Sequence, residues 1–174
     1  MKYKLTPEGR EYSPVFKKNI RRFIIAYNFF INLFPKKKPE HTSIKELQEI
    51  RAHALVDTDI SDHLETLFIE SMIVKPKLII ELGVRTGQST FVFERVARLC
   101  NAFLLSVDIA LQQSRTAWSR STFIQKDDIL VADEFKDFCQ KNNLEPKIDV
   151  LFIDTSHEYN HTKKEIANWF PFLS

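Results

Sequence analysis

The chain has 174 residues, 44% of them hydrophobic and 28% charged, with a formal net charge of +2. One main domain with a real core is the expectation at that length. The charge is too small, and lacks a basic stripe interleaved with aromatics, to support nucleic-acid binding.

Residues 1 to about 56 are basic and irregular in pattern, so they read as an N-terminal helical extension. The stretch "SPVFKKNIRRFIIAYNFFINLF" predicts a helix, with Ser13 as its cap and Pro14 in its first turn. Phe23 to Phe34 is apolar nearly all round, yet well short of the ~20 residues a bilayer span needs. Two readings of helix 14–34 stand. It is an interfacial membrane anchor, with Lys17, Lys18, Arg21 and Arg22 meeting anionic headgroups, or it packs on its own domain or on a second subunit. "PKKKPEHTS" breaks the chain, and "SIKELQEIRAHAL" follows as an amphipathic helix with Ser43 and Glu46 forming a capping box. The start of the chain has no secretory signal pattern.

From about residue 57 to 174 apolar strands alternate with amphipathic helices. "SDHLETLFIESMIV" is a helix capped by Ser61, and "KLIIEL" after Pro76 is a buried strand. "STFVFERVARLC" is a helix. "AFLLSVDI", "TFIQ" and "IDVLFID" are the second, third and fourth strands, and "VADEFKDFCQKN" and "YNHTKKEIANWF" are helices. This alternation means βαβ units: an α/β, Rossmann-like, doubly wound parallel sheet covered on both faces. Cys100 and Cys139 fall in different helices, with no CxxC and no His/Cys cluster, as in a cytosolic protein with reduced thiols.

Two of the three glycines, Gly83 and Gly87, fall in "LIIELGVRTGQS". Ligands in such sheets bind at the carboxyl ends of the strands. Gly83 permits a sharp turn, Gly87 a close backbone approach, and Ser89 is placed to cap the next helix. Asp108 ends the second strand, where an acid accepts hydrogen bonds from both ribose hydroxyls. Asp127 and Asp128 end the third, near an adenine. The spacing G-x-x-x-G behind the acid Glu81 does not suit a pyrophosphate. It suits a cationic or zwitterionic adenosine cofactor such as S-adenosylmethionine. Glu81 as a strand end and Asp108 as a turn residue are the plainer alternatives.

"IELGVRTGQST", "LLSVDIA" and "IDVLFIDTSHEYNHTKKEIANWFPFL" together resemble class I S-adenosylmethionine-dependent methyltransferases, in particular the macrocin O-methyltransferase and cephalosporin-hydroxylase-like small-molecule group. The resemblance spans roughly residues 60–174 and implies strand order 3-2-1-4, followed by strands 5-7-6 that this sequence does not carry. It implies that Glu81, Gly83, Thr86 and Gly87 line the methionine part of the cofactor. Asp108 then holds the ribose and Asp127 or Asp128 lies beside the adenine. It also implies that Asp154, a catalytic residue at the end of the fourth strand, is one ligand of Mg²⁺; contact with the substrate or a backbone N–H alone is the plainer alternative. His157, three residues on, is placed to act as a catalytic general base toward a hydroxyl or to orient that acid. His157 as a helix cap is the duller alternative, and His161 reads as a solvent-facing helix residue. Lys126 stands where the family commonly has glycine. The expected function is methylation of a small hydroxylated molecule. A catalytically silent cofactor-binding module of the same fold and a nicotinamide-dependent Rossmann enzyme are the competing readings. If the sheet ends with the fourth strand, another segment or a second subunit should cover that edge.

Overall fold

A computed structural model describes residues 44–110 and 116–174, together with the backbone of residues 4–6 and 9–11. The chain divides into two compact units, Met1–Lys38 and Pro39–Ser174. In the first, Lys4–Thr6 pairs antiparallel with Gly9–Glu11. The expected helix 14–34, with its membrane or subunit role, and the cap Ser43 lie outside the described residues.

The second unit holds four strands: β1 (Leu78–Leu82), β2 (Phe103–Asp108), β3 (Ser121–Gln125) and β4 (Val150–Ile153). They are parallel, as the alternation of elements predicts, and in the order β3-β2-β1-β4 that the family resemblance implies. The helices are α1 (Ile44–His53), α2 (Leu64–Val74), α3 (Gln88–Cys100), α4 (Asp128–Lys141) and α5 (Tyr159–Trp169). All five residues of β1 are buried, because it is central and covered on both faces.

The period of two in a strand divides the core. Leu78, Ile80 and Leu82 face one way, with Phe103, Leu105 and Val107, onto Val131 and Phe135 of α4 and Trp169 of α5. Phe135 meets Trp169 edge-on, ring centroids 5.2 Å apart. Ile79 and Leu104 face the other way, onto Phe68 of α2 and Val92, Phe93 and Val96 of α3.

Helix α1 lies inside this second unit, although the sequence assigns it to an extension ending at residue 56. Ile50 is fully buried in the α2–α3 layer, and Arg51 pairs with Glu65 of α2 at 2.6 Å. Arg95 of α3 pairs with Glu49 of α1 at 2.9 Å. One apolar stripe with bridging arginines makes α1 part of the domain rather than an appendage. The boundary therefore falls at Lys38/Pro39.

Two helix starts differ from expectation. Ser61 opens a short 3-10 turn, donating its hydroxyl to the Thr58 carbonyl at 2.9 Å, and α2 begins only at Leu64. Ser89 does not cap α3. Gly87, at φ 80°, occupies the cap position. On the open side of β4, Ile148 N–H donates to Phe172 at 2.7 Å and Ser174 N–H donates to Ile148 at 3.0 Å, one parallel bridge beside the strand's start. Among the described residues no helix is long and apolar enough to cross a membrane.

Candidate active site

The carboxyl ends of all four strands open into one cavity of about 620 Å³, a size suited to a cofactor-sized ligand. Its wall includes Gly83 after β1, Asp108 at the end of β2, Lys126–Asp128 after β3, and Asp154–Ser156 after β4. Strand order reverses between β1 and β4, the place where such sheets bind ligands.

The loop after β1 explains its glycines in different ways. Gly83 has φ +86°, and a Cβ there would strike the backbone carbonyl of Asp154. The close approach demanded at Gly83 is therefore between the β1 and β4 loops. Arg85, at φ 51°, and Gly87 also take the left-handed conformation, and Gly87 N–H closes a turn onto the Val84 carbonyl at 2.8 Å. Gly87 is buried and Thr86 exposed, and neither is on the cavity wall.

Asp108 lines the cavity and also holds this loop. Its Oδ2 accepts the N–H groups of Val84 and Arg85 at 2.8 and 3.0 Å, and Oδ1 accepts that of Ala110 at 2.8 Å. Three donors on one carboxylate fix the β1 and β2 loops together.

Glu81 departs from the cofactor-lining role. It shares the face of Ile79, so its side chain runs beneath α3, fully buried and off the cavity wall. Ser89 donates to Oε1 at 2.6 Å, Ser106 to Oε2 at 2.6 Å, and Thr90 reaches both oxygens at 3.0 and 2.9 Å. Burial pushes this carboxyl up to about 7. The hydroxyls of Ser106, Ser89 and Thr90 oppose the rise, and the charge of Asp108 adds to it. Ser89 is thus a partner of Glu81, not a helix cap.

The two acids after β3 divide their work. Asp127 lines the cavity while capping α4, accepting Ile129 N–H at 2.9 Å. Asp128 is buried, and its Oδ1 lies 3.0 Å from Nε2 of His161. His161 is therefore not a solvent-facing helix residue. It is 27% exposed, lines the cavity, and also sits 3.5 Å from Oε1 of Glu165. Glu165, unforeseen from the sequence, is fully buried and receives the Thr155 hydroxyl at 2.5 Å. Its carboxyl is pushed up by burial, with Asp128 adding to the rise and Thr155 and His161 opposing it. The i, i+4 spacing of His161 and Glu165 was a legible sign that one helix face carries both.

Asp154 is on the wall, and His157 Nε2 lies 3.3 Å from its Oδ1. His157 is 76% exposed, has φ 56°, and is not part of the wall. It does not cap α5, whose cap position is Glu158. Among the described residues the one His/Asp/Glu group close enough to share an ion is Asp128, His161 and Glu165. Asp154 stands outside it.

A four-strand parallel sheet in the order β3-β2-β1-β4, with an acid-rimmed cavity at its switch point, defines a Rossmann-like cofactor-binding domain. The chain belongs to the methyltransferase-domain family, whose model matches residues 80–174. That family implies S-adenosylmethionine as methyl donor. No curated protein matches the sequence. Among solved structures the chain is similar to apo CalS11, described as a TDP-rhamnose 3'-O-methyltransferase in calicheamicin biosynthesis. The TM-score is 0.45 and the identity 15%, over 82% of this chain and 78% of that one.

Proposed function

We propose that the chain is an S-adenosylmethionine-dependent methyltransferase acting on a hydroxyl of a small molecule. The observation that carries the reading is the acid-rich cavity at the switch point, in a chain of the methyltransferase-domain family. Asp108, Asp127, Asp128, Asp154 and Glu158 line it. Its two cations are turned to other acids, Arg85 to Asp59 and Lys126 to Glu134 at 2.6 Å. Such a rim favours a sulfonium and an ammonium over a pyrophosphate.

When bound, the cofactor supplies a methyl group on a positively charged sulfur. Gly83 and Arg85 border the methionine part, Asp108 takes the ribose hydroxyls, and Asp127 lies at the adenine end. Asp154 orients the acceptor hydroxyl. The proton that the acceptor hydroxyl gives up would pass to solvent, or by way of Asp154 to His157, whose Nε2 lies 3.3 Å from Asp154 Oδ1. Isothermal titration with S-adenosylhomocysteine and with NAD tests the cofactor assignment. Saturable binding of the first and none of the second is expected, and the reverse overturns it.

The place of His157 off the cavity wall favours a second reading, a cofactor-binding module without catalysis. Binding of S-adenosylhomocysteine with no methyl transfer to any of a panel of phenols, sugars and hydroxy acids would support that reading over the first.

A further inference from the structure

We infer that Asp128, His161 and Glu165 form a binding site for a divalent transition-metal ion, with Zn²⁺ or Mn²⁺ chemistry, on the α4–α5 side of the cavity. The inference is independent of the methyltransferase reading.

The three side chains converge from two elements. Asp128 is the first residue of α4, and His161 and Glu165 stand one turn apart on α5. Each offers one ligand atom, and these atoms all lie within 4.8 Å of one another. His161 Nε2 is 3.0 Å from Asp128 Oδ1 and 3.5 Å from Glu165 Oε1. Ligand atoms held at about 2.0–2.2 Å by a tetrahedral ion stand roughly 3.3–3.6 Å apart, a range that includes the His161–Glu165 separation and lies a few tenths of an ångström above the His161–Asp128 one.

A second observation points to an occupant. Asp128 is 5% exposed and Glu165 fully buried, yet with both carboxyls ionised no donor reaches Asp128 Oδ2 or Glu165 Oε2, and a hydrogen bond between the two acids needs a shared proton. Burying two carboxylates side by side with unsatisfied oxygens is costly. A cation between the two carboxylates would remove the repulsion, and with Oδ2 or Oε2 as a ligand atom it would also satisfy that acceptor. The Thr155 hydroxyl on Glu165 Oε1 supplies the outer hydrogen bond that orients a ligating carboxylate.

The donor set selects the ion. One imidazole and two carboxylates suit Zn²⁺ or Mn²⁺, whereas Mg²⁺ prefers oxygen alone. Three protein ligands would leave a position free, and two of them, Asp128 and His161, line the cavity. The alternative occupant is a proton shared by the two carboxyls.

The test is calorimetric titration of the metal-stripped full chain with ZnCl₂ and with MnCl₂, and with MgCl₂ as the comparison. One equivalent of Zn²⁺ or Mn²⁺ should bind. His161→Ala should weaken binding about a hundredfold or more, and Thr155→Val about tenfold. Glu165→Gln keeps the shape of the side chain and should also weaken binding, while His157→Ala should not. If His161→Ala fails to fold, Co²⁺ added to the unaltered chain reads the same site. An intense visible band marks tetrahedral nitrogen–oxygen ligation, and only the pale spectrum of the hydrated ion overturns the site. No saturable binding, or binding untouched by Glu165→Gln and Thr155→Val, leaves the shared proton as occupant and overturns it equally.

Discussion

Glu81→Gln isolates a buried carboxyl whose ionisation works against folding. The native group has its pKa raised from 4.5 to about 7, chiefly by burial. As pH rises, the unfolded chain gives up this proton first. The contribution is fully present below about pH 4.5 and is lost as pH climbs through about 7. At about 1.4 kcal/mol per tenfold change, the loss is about 3 kcal/mol across that window. Protonated Glu81 and Gln have nearly the same shape, and the hydroxyls of Ser89, Thr90 and Ser106 can each reorient to donate or accept. The variant should therefore match the natural chain near pH 4.5. It should gain on it by about 3 kcal/mol by pH 8. Urea unfolding of both proteins at intervals from pH 4.5 to 8 reads the difference directly. A difference that stays flat would refute the claim that Glu81 is a desolvated carboxyl, and with it the placement of Glu81 beneath α3.

Gly83→Ala should cost at least about 1–3 kcal/mol, since a Cβ there meets the Asp154 carbonyl and the backbone has φ +86°. Denaturation at the natural midpoint would show that the two loops do not approach. Asp108→Asn should abolish most of the rise in melting temperature that S-adenosylhomocysteine gives, by weakening both the proposed ribose contact and the hold on Val84 and Arg85. An unchanged rise sinks the ribose assignment. Phe135→Ala removes a fully buried ring packed on Trp169 and Phe172 and should cost about 3–5 kcal/mol in chemical denaturation. A cost under about 1 kcal/mol would contradict that packing. Asp154→Asn should lower methyl transfer without weakening S-adenosylhomocysteine binding. Equal loss of both would move Asp154 from the acceptor to the cofactor.

The parallel sheet and the four strand ends that carry the cavity were legible in the sequence, while the strand order was implied only by the family resemblance. Buried β strands read as continuous apolar runs, and the punctuation of Gly83, Asp108, Asp127 and Asp154 falls where each run stops. Those signals are local, because a strand's burial and a turn's backbone needs are written within a few residues. What each acid does was not local. Glu81 and Asp154 both stand at strand ends, yet one is sealed under α3 and the other faces the cavity. Glu81 lies within β1 on the face of Ile79, which α3 covers, whereas Asp154 stands past Ile153, the last residue of β4, where the strand ends open into the cavity. His161 looked like a solvated helix residue because its partners lie on α4 and at the next turn of α5, and only the docking of those two helices brings Asp128 and Glu165 to it. Helix α1 likewise joined the domain through Ile50 and two ion pairs to α2 and α3. Periodicity shows that a helix has an apolar face, and packing alone determines which layer receives it.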